Sequence, residues 1–365
     1  MTSLECDVLI IGGGIAGLSL ASALAPFSSV VLVEAESTLG YHTSSRSARQ
    51  LIPSYGPAPV RDLTRRTLDL LSGVQSSTGL PLTVQRSFLL VGSEADVAAA
   101  ASDSMRPVSH AEALALCPQL RPEAFDAAAI DTDCVGTDTD LLLEYHRRRA
   151  SDDGVIILTG ADVTSARYDG AGWSVRAGYR PITAEVIVDA AGAWADGVAD
   201  VCGVAPQGLV PLRRTAAIVT ATNAPPVGTP MVAAADESFY YRPDAEGVLI
   251  SPCEAEPAEP GDAQPHPGDV ERLMEHLATV ADLGITGVTR AWTGLRTQRA
   301  SGLPVVGFDP GHPGFFWLAG QGGYGFQTSS GIAELATILL TGADPVDLGA
   351  DPAGIAAAAT ALRPG

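Results

Sequence analysis

Gly12, Gly14 and Gly17 stand at G-x-G-x-x-G spacing, and an acid, Glu34, follows about twenty residues later. These residue types suit the binding of a dinucleotide. Gly12 permits a tight turn, and Gly14 has no Cβ to hold a pyrophosphate off the backbone. Gly17 lets the next helix pack close to the strand before it. A carboxylate at Glu34 accepts hydrogen bonds from a ribose 2′-OH and repels a 2′-phosphate, which favours NAD or FAD over NADP.

The elements that must position these groups are legible on either side. Val8-Leu9-Ile10-Ile11 is a continuous apolar run of the kind a buried parallel strand carries. A helix is predicted from Ile15 to Leu24, with its N-terminal N–H groups, Ile15 and Ala16 among them, aimed at the phosphates. Val30–Val33 forms the next strand, ending at Glu34 and Ala35. Strand, glycines, helix, strand and acid in that order make a βαβ unit.

Two later turns repeat the theme. The predicted β-meander over 161–189, which begins at Val163, runs into Asp189-Ala190-Ala191-Gly192-Ala193-Trp194. The strand Phe315–Leu318 breaks into Gly320-Gln321-Gly322-Gly323-Tyr324-Gly325-Phe326-Gln327, and a helix is predicted from Thr328 to Leu340. Between the second strand and the first long helix lies a small, polar, cationic segment: His42, Thr43, Ser44, Arg46, Ser47, Ala48, Arg49 and Gln50. Its hydroxyl, N–H and guanidinium groups are candidate donors to a pyrophosphate.

Elsewhere the spacing predicts an amphipathic helix over 59–75, with Arg61, Arg65 and Arg66 on a solvated face. Thr139 or Asp140 is the expected cap of a helix over 141–150. The Pro- and Glu-rich stretch 254–268 reads as a solvated connector, and the alanine-rich tail 351–365 as a loosely attached helix.

The chain has 365 residues, which suits two domains. Its net charge of −20 argues against nucleic acid or an anionic membrane as partner. No run of 18 apolar residues and no signal-peptide pattern is present, and the five cysteines are scattered. The expectation is a cytoplasmic protein with reduced thiols. The six histidines have no metal-ligand spacing, so no metal is expected.

GGGIAG with Glu34, DAAGAW at 189–194 and WLAGQGGYGFQTS at 317–329 together resemble the FAD-dependent D-amino-acid oxidase superfamily. Within it, GYHTSSRSA at 40–48, DESFYYRPD at 236–244 and WTGLR at 292–296 resemble bacterial D-arginine and D-amino acid dehydrogenases. The resemblance implies an α/β flavoprotein. A discontinuous Rossmann-like FAD-binding domain (1–76, 136–208 and 300–365) would carry a β-sheet-rich substrate domain (77–135 and 209–299). It also implies FAD contacts at the glycines and segments above and at Gly294. Arg296 would bind a substrate carboxylate, assisted by Tyr240 and by Arg213 or its neighbour Arg214. Tyr55 would sit on a mobile loop, with Gly323 beside the reacting end of the substrate. The start of the helix over 328–340 would face the pyrimidine edge of the flavin.

The departures from that pattern bear on specificity. Phe88 stands where D-arginine dehydrogenase has the glutamate that meets the substrate guanidinium, and Gln50 and Ile52 replace a histidine and a threonine of the loop. The expectation is oxidation of a neutral or apolar D-amino acid to its imino acid, which water converts to a 2-oxo acid and ammonia. Oxygen or a quinone would reoxidise the flavin. A 2-hydroxy acid or secondary-amine enzyme of the glycine or sarcosine type is the alternative on the same fold. A non-catalytic FAD-binding protein is the alternative of a different class.

Overall fold

In the computed structural model, which describes residues 3–365, the apolar run Val8–Ile11 lies at the heart of a parallel sheet. Leu4–Ile11 pairs in parallel with Val30–Val33 on one side and with Arg180–Asp189 on the other. Ile156–Leu158 extends the sheet beyond Val30–Val33. The strand Arg180–Asp189 is long enough to serve two neighbours along its second edge. Its first half pairs antiparallel with Trp173–Ala177 of the meander, and its last three residues pair in parallel with Phe315–Ala319. The parallel strands are buried on both faces, which explains their unbroken hydrophobicity. Val8, Ile10, Leu32, Val188 and Phe316 pack under the helices Ile15–Leu24 and Ser329–Thr341. Leu9, Ile11, Val31, Ile187 and Trp317 pack against the meander and the helix Ala195–Val201.

The second sheet has eight strands, in the order Ile285–Gln298, Val210–Ala221, Gly247–Ser251, Tyr240–Asp244, Met231–Ala234, Phe88–Gly92, Ala127–Asp131 and Arg106–Val108. Alternation decides its faces. Leu89, Val91, Val232, Tyr241, Ile250 and Ala217 pack under the helices His110–Leu116 and Asp269–Val280. Phe88, Leu90, Met231, Tyr240, Ile218 and Leu249 point the other way. That second face looks toward the loop 48–55.

Several local expectations are corrected. Asp138, not Thr139 or Asp140, caps the helix Thr139–Asp152, accepting from the N–H groups of Asp140 and Leu141 at 3.0 and 3.2 Å. Arg66 is not on a solvated face. On the helix Ala58–Leu71 it makes a bidentate pair with the buried Glu334 at 2.8 and 2.6 Å, tying that helix to Ser329–Thr341. The tail helix Pro352–Leu362 is firmly docked, because Leu362 is fully buried in the main core of the parallel sheet. The 254–268 stretch is strapped to the second sheet by backbone bonds from Arg213 to Glu256 and from Ala258 to Pro211. All five cysteines are free thiols.

His146, on the helix Thr139–Asp152, is only 4% exposed, and neither ring nitrogen has a hydrogen-bond partner. Burial pushes its pKa down to about 3, and the guanidinium of Arg149 adds to the effect. The unfolded chain takes up a proton near the ordinary histidine value of about 6.5 that the native protein refuses. Stability carried by this group is therefore complete above that value and is lost as pH falls below it. At pH 5 the loss is roughly 2 kcal/mol. Urea unfolding at pH 7 and pH 5 checks this. The parent protein should lose that amount beyond what His146→Leu loses, and equal losses in the two would contradict it.

Candidate active site

The C-terminal ends of the parallel strands converge, as ligand sites on such sheets require. Ile11 leads into Gly12, Val33 into Glu34, Asp189 into Ala191 and Gly192, and Ala319 into the 320–327 turn. Gly12 has φ +111°, and a Cβ there would lie 2.4 Å from the carbonyl oxygen of Ala190. A Cβ on Gly17 would lie 1.9 Å from the oxygen of Gly12. These two positions are closed to any side chain. The Glu34 carboxylate accepts from the N–H of Gly13 at 2.7 Å and of Glu36 at 2.9 Å, which fixes its direction and leaves lone pairs for a ribose. Ala35 follows, exposed, and Val163 is held alongside through the bond from Ala161 N–H to the Glu34 carbonyl. Ser44 Oγ accepts from Ile15 N–H at 3.0 Å and would meet a Cβ on Gly14 at 3.1 Å. Among the described residues, the N–H groups of Ala16 and Gly17 have no partner, so the first turn of Ile15–Leu24 keeps donors free for an anion.

The 42–50 segment joins the two sheets. The His42 ring packs against Trp194, with centroids 4.5 Å apart and planes tilted by 48°, and bonds to Glu36 at 2.9 Å. Thr43 Oγ1 donates to the carbonyl of Leu295 at 2.8 Å, and Gly294 packs against Arg46 and Thr43. The Arg46 guanidinium is not available to a pyrophosphate: it pairs with Asp262 and donates to the carbonyl of Thr293. Ser47 accepts from Arg49 N–H, and the Ala48 carbonyl accepts from the buried Arg242. Gln50 donates to the carbonyl of Arg86 at 2.8 Å.

Between this segment and the second sheet lies a cavity of about 310 Å³. Tyr55, Tyr240, Arg296, Gly323, Tyr324, Gln327, Ala48 and Gln50 line it, together with the apolar side chains of Ile52, Phe88, Leu90, Met105 and Met231. The second sheet's register explains which arginine joins them. Arg296 faces Leu212 across the strand pair, Leu295 faces Arg213 and Gly294 faces Arg214. With a period of two, Arg214 shares the face of Arg296 and Arg213 takes the opposite one. Arg213 accordingly turns away and donates to the carbonyl of Gln264 at 2.7 Å, whereas Arg214 lines the cavity. Among the described residues Arg296 has no carboxylate partner, and Arg214 donates only through Nε to the carbonyl of Glu254. Burial raises the pKa of Tyr55, and raises that of Tyr324 to about 12, so both phenols stay neutral donors.

Glu237 and Cys253 also line the cavity, and both have positive φ. Glu237 is the sole acid among the lining residues and sits exposed at the rim. Neither was legible in advance, because their placement depends on turns at strand ends. Among the described residues no cluster of groups suited to a metal is found.

The glycine run 322–325 spans the space between cavity and pyrophosphate turn. Gly323 touches the Arg296 guanidinium, and Gly325 lies against Ile15. Phe326 packs with Ile15 and Leu51. A Cβ on Gly323 would lie 2.9 Å from Arg296 Nη1, the far end of a flexible side chain. Gly323→Ala should therefore fold and retain FAD while displacing the guanidinium, raising KM by about tenfold or more. Steady-state kinetics with a thermal melt checks this; an unchanged KM would show that Arg296 does not bind substrate.

The profile of the family described as FAD dependent oxidoreductase matches residues 7–339. The chain belongs to this family. FAD is its cofactor, and the free donors and closed glycine contacts fit that group. As a family member it is 24% identical over 337 residues to glycine oxidase of Geobacillus kaustophilus (strain HTA426), covering 86% of this chain and 87% of that one. The crystal structure of glycine oxidase from Geobacillus kaustophilus superposes with a TM-score of 0.82 at 23% identity, over 94% of this chain and 96% of that one. L-proline dehydrogenase from P. horikoshii superposes with a TM-score of 0.83 at 17% identity, over 96% of each chain. L-alpha-glycerophosphate oxidase from Mycoplasma pneumoniae, with FAD bound, superposes with a TM-score of 0.81 at 20% identity, covering 92% and 94%. These similarities do not single out D-arginine dehydrogenase within the family. No helix among the described residues is long and apolar enough to cross a membrane.

Proposed function

We propose that this FAD-dependent oxidoreductase oxidises a neutral, apolar α-amino acid, D-configured as the sequence resemblance implies, to its imino acid. The observation that carries this reading is the pair of cavity-facing guanidiniums, Arg296 and Arg214, without carboxylate partners among the described residues, in a cavity also lined by apolar side chains. Arg296 grips the substrate carboxylate, with Arg214 as second donor and Tyr240 and Tyr55 as neutral hydrogen-bond donors. Phe88, Leu90, Ile52 and Met231 take the side chain. Bound FAD supplies two-electron redox chemistry, and the chain's own residues orient Cα–H and exclude water. The strand membership of the two sheets supports assigning 1–76, 136–208 and 300–365 to FAD and the remainder to substrate.

Anaerobic bleaching of the bound flavin by D- and L-amino acids, with ammonia measured, tests the proposal. Reduction by D-leucine, D-methionine or D-phenylalanine with ammonia release is the expected result. Reduction by L-enantiomers alone would overturn the configuration. Reduction by 2-hydroxy acids without ammonia would overturn the substrate class. Glycine and sarcosine belong in the panel, because the likeness to glycine oxidase supports a small-amine reading.

A further inference from the structure

Gln327 lines the substrate cavity and is only 3% exposed. The bonds behind it fix which way its amide points. Its Nε2 donates to the carbonyl of Tyr55 at 3.3 Å and to Oγ1 of Thr64 at 3.0 Å. The fully buried Thr64 hydroxyl donates its own proton to the carbonyl of Val60 at 2.8 Å, so toward Gln327 it only accepts. Both neighbours therefore require the NH2 end of the amide, and a flipped amide would set oxygen against oxygen. Oε1 is left without a partner among the described residues, on a side chain that faces the cavity. The Ser54 hydroxyl, on the same lining, is unpartnered but sealed off; Gln327 Oε1 is not sealed.

The other polar side chains of this cavity are mostly donors. Arg296 and Arg214 are cations, and Tyr55, Tyr240 and Tyr324 offer phenolic O–H groups. Gln50 is engaged with Arg86, its Nε2 on the Arg86 carbonyl at 2.8 Å and its Oε1 at 3.5 Å from Nη1. Glu237 is exposed at the rim, and burial pushes the Cys253 thiol up to about 11, which keeps it uncharged. A substrate carboxylate satisfies the donors, but the amino group next to it carries N–H groups that need an acceptor. We propose that Gln327 holds the substrate's amino group, with Oε1 accepting from the amine N–H. The inference rests on the amino-acid reading of this cavity and adds to it the residue that recognises the amine. Its position fits. Gly323, four residues earlier, touches the Arg296 guanidinium, and a bond from Thr328 N–H to the Tyr324 carbonyl at 3.0 Å coils the chain between. Gln327 thus stands about one helical turn, roughly 5 Å, from the residue that touches Arg296. The amide's neutrality also matters. A carboxylate here would favour the ammonium form, which lacks the lone pair that drives hydride loss; an amide carbonyl accepts from the neutral amine without that bias.

The test uses FAD-loaded protein and two ligands, D-leucine and 4-methylpentanoate, which has the same carboxylate and side chain but no amine. Flavin absorbance reads the binding of 4-methylpentanoate to the oxidised protein, and anaerobic flavin reduction reads D-leucine. Gln327→Met, close in size but with no acceptor, should raise the apparent Kd for D-leucine about tenfold or more. It should leave the Kd for 4-methylpentanoate within about threefold. A role confined to holding the Tyr55 turn would weaken both ligands alike, so equal losses, or none, would overturn the proposal. Gln327→Glu keeps an acceptor but adds a charge. The pH midpoint of flavin reduction by D-leucine should then rise by about one unit, because a carboxylate favours the ammonium. An unchanged midpoint would overturn the proposal as well. A parent flavin that responds to neither ligand would sink the reading of the whole cavity, this inference included, before any variant is made.

Discussion

Replacing Arg296 with alanine should lower kcat/KM by about 30-fold to 5,000-fold, the equivalent of losing roughly 2–5 kcal/mol of charge-assisted binding in a partly buried site. The guanidinium lies in a cavity whose other lining groups are mainly apolar or phenolic, with no carboxylate partner of its own among the described residues. A substrate carboxylate is the natural counter-charge, and its planar geometry matches the guanidinium fork. Arg296→Lys should also be poor, because an ammonium cannot make two parallel bonds. Arg214→Ala should raise KM as well. Arg213→Ala should not, because Arg213 points to the opposite face of the sheet and serves the 254–268 connector. Steady-state kinetics on flavin-loaded variants checks the set. An Arg296→Ala protein of near-parental efficiency would remove the carboxylate assignment. Loss of substrate binding in Arg213→Ala but not in Arg214→Ala would refute the register argument.

D-leucine, D-methionine or D-phenylalanine should outperform D-arginine by tenfold or more in kcat/KM. Phe88, Leu90, Ile52 and Met231 line the cavity and pack in one apolar cluster. A guanidinium buried there would leave its donors unsatisfied. A face-on contact with the Phe88 ring could return only about 0.5–2 kcal/mol. The one acid on the cavity, Glu237, is at the exposed rim, where water and ions screen it. Comparing D-arginine with the three neutral D-amino acids tests the order. Measuring Glu237→Gln in parallel assigns any arginine activity to the rim carboxylate or excludes it. If D-arginine wins by tenfold, the apolar reading of Phe88 is wrong.

The parts of this protein that depend on near neighbours in the chain were legible early. The βαβ unit at 4–34, the meander over 163–189 and the glycine turn feeding Ser329–Thr341 are local patterns of apolar run, glycine and cap. The helix Ile15–Leu24 has the bounds expected of it, because the glycines before it and the end of its apolar run are written in adjacent residues. Where side chains reach across the fold, local patterns misled. Arg46 and Arg66 looked like surface or phosphate-seeking cations, yet each meets a partner more than 200 positions away, Asp262 and Glu334. The tail looked loose because alanines carry little hydrophobic surface, and one residue, Leu362, is what seats it.

Residue types and spacing by themselves determined the dinucleotide turn and its βαβ unit, whereas the two-sheet α/β class and a carboxylate-binding role for Arg296 were what the family resemblance implied. Only the tertiary structure decided which residues share its cavity. Arg213 and Arg214 are adjacent in sequence and chemically identical, and nothing local separates them. The pairing of Val210–Ala221 with Ile285–Gln298 does, because a strand's side chains alternate faces and a shift of one residue would exchange the two arginines. That register is set by burial on both faces of the second sheet: Ala217 and Val219 must lie under the helices and Ile218 toward the cavity, an arrangement that exists only once the whole sheet has formed.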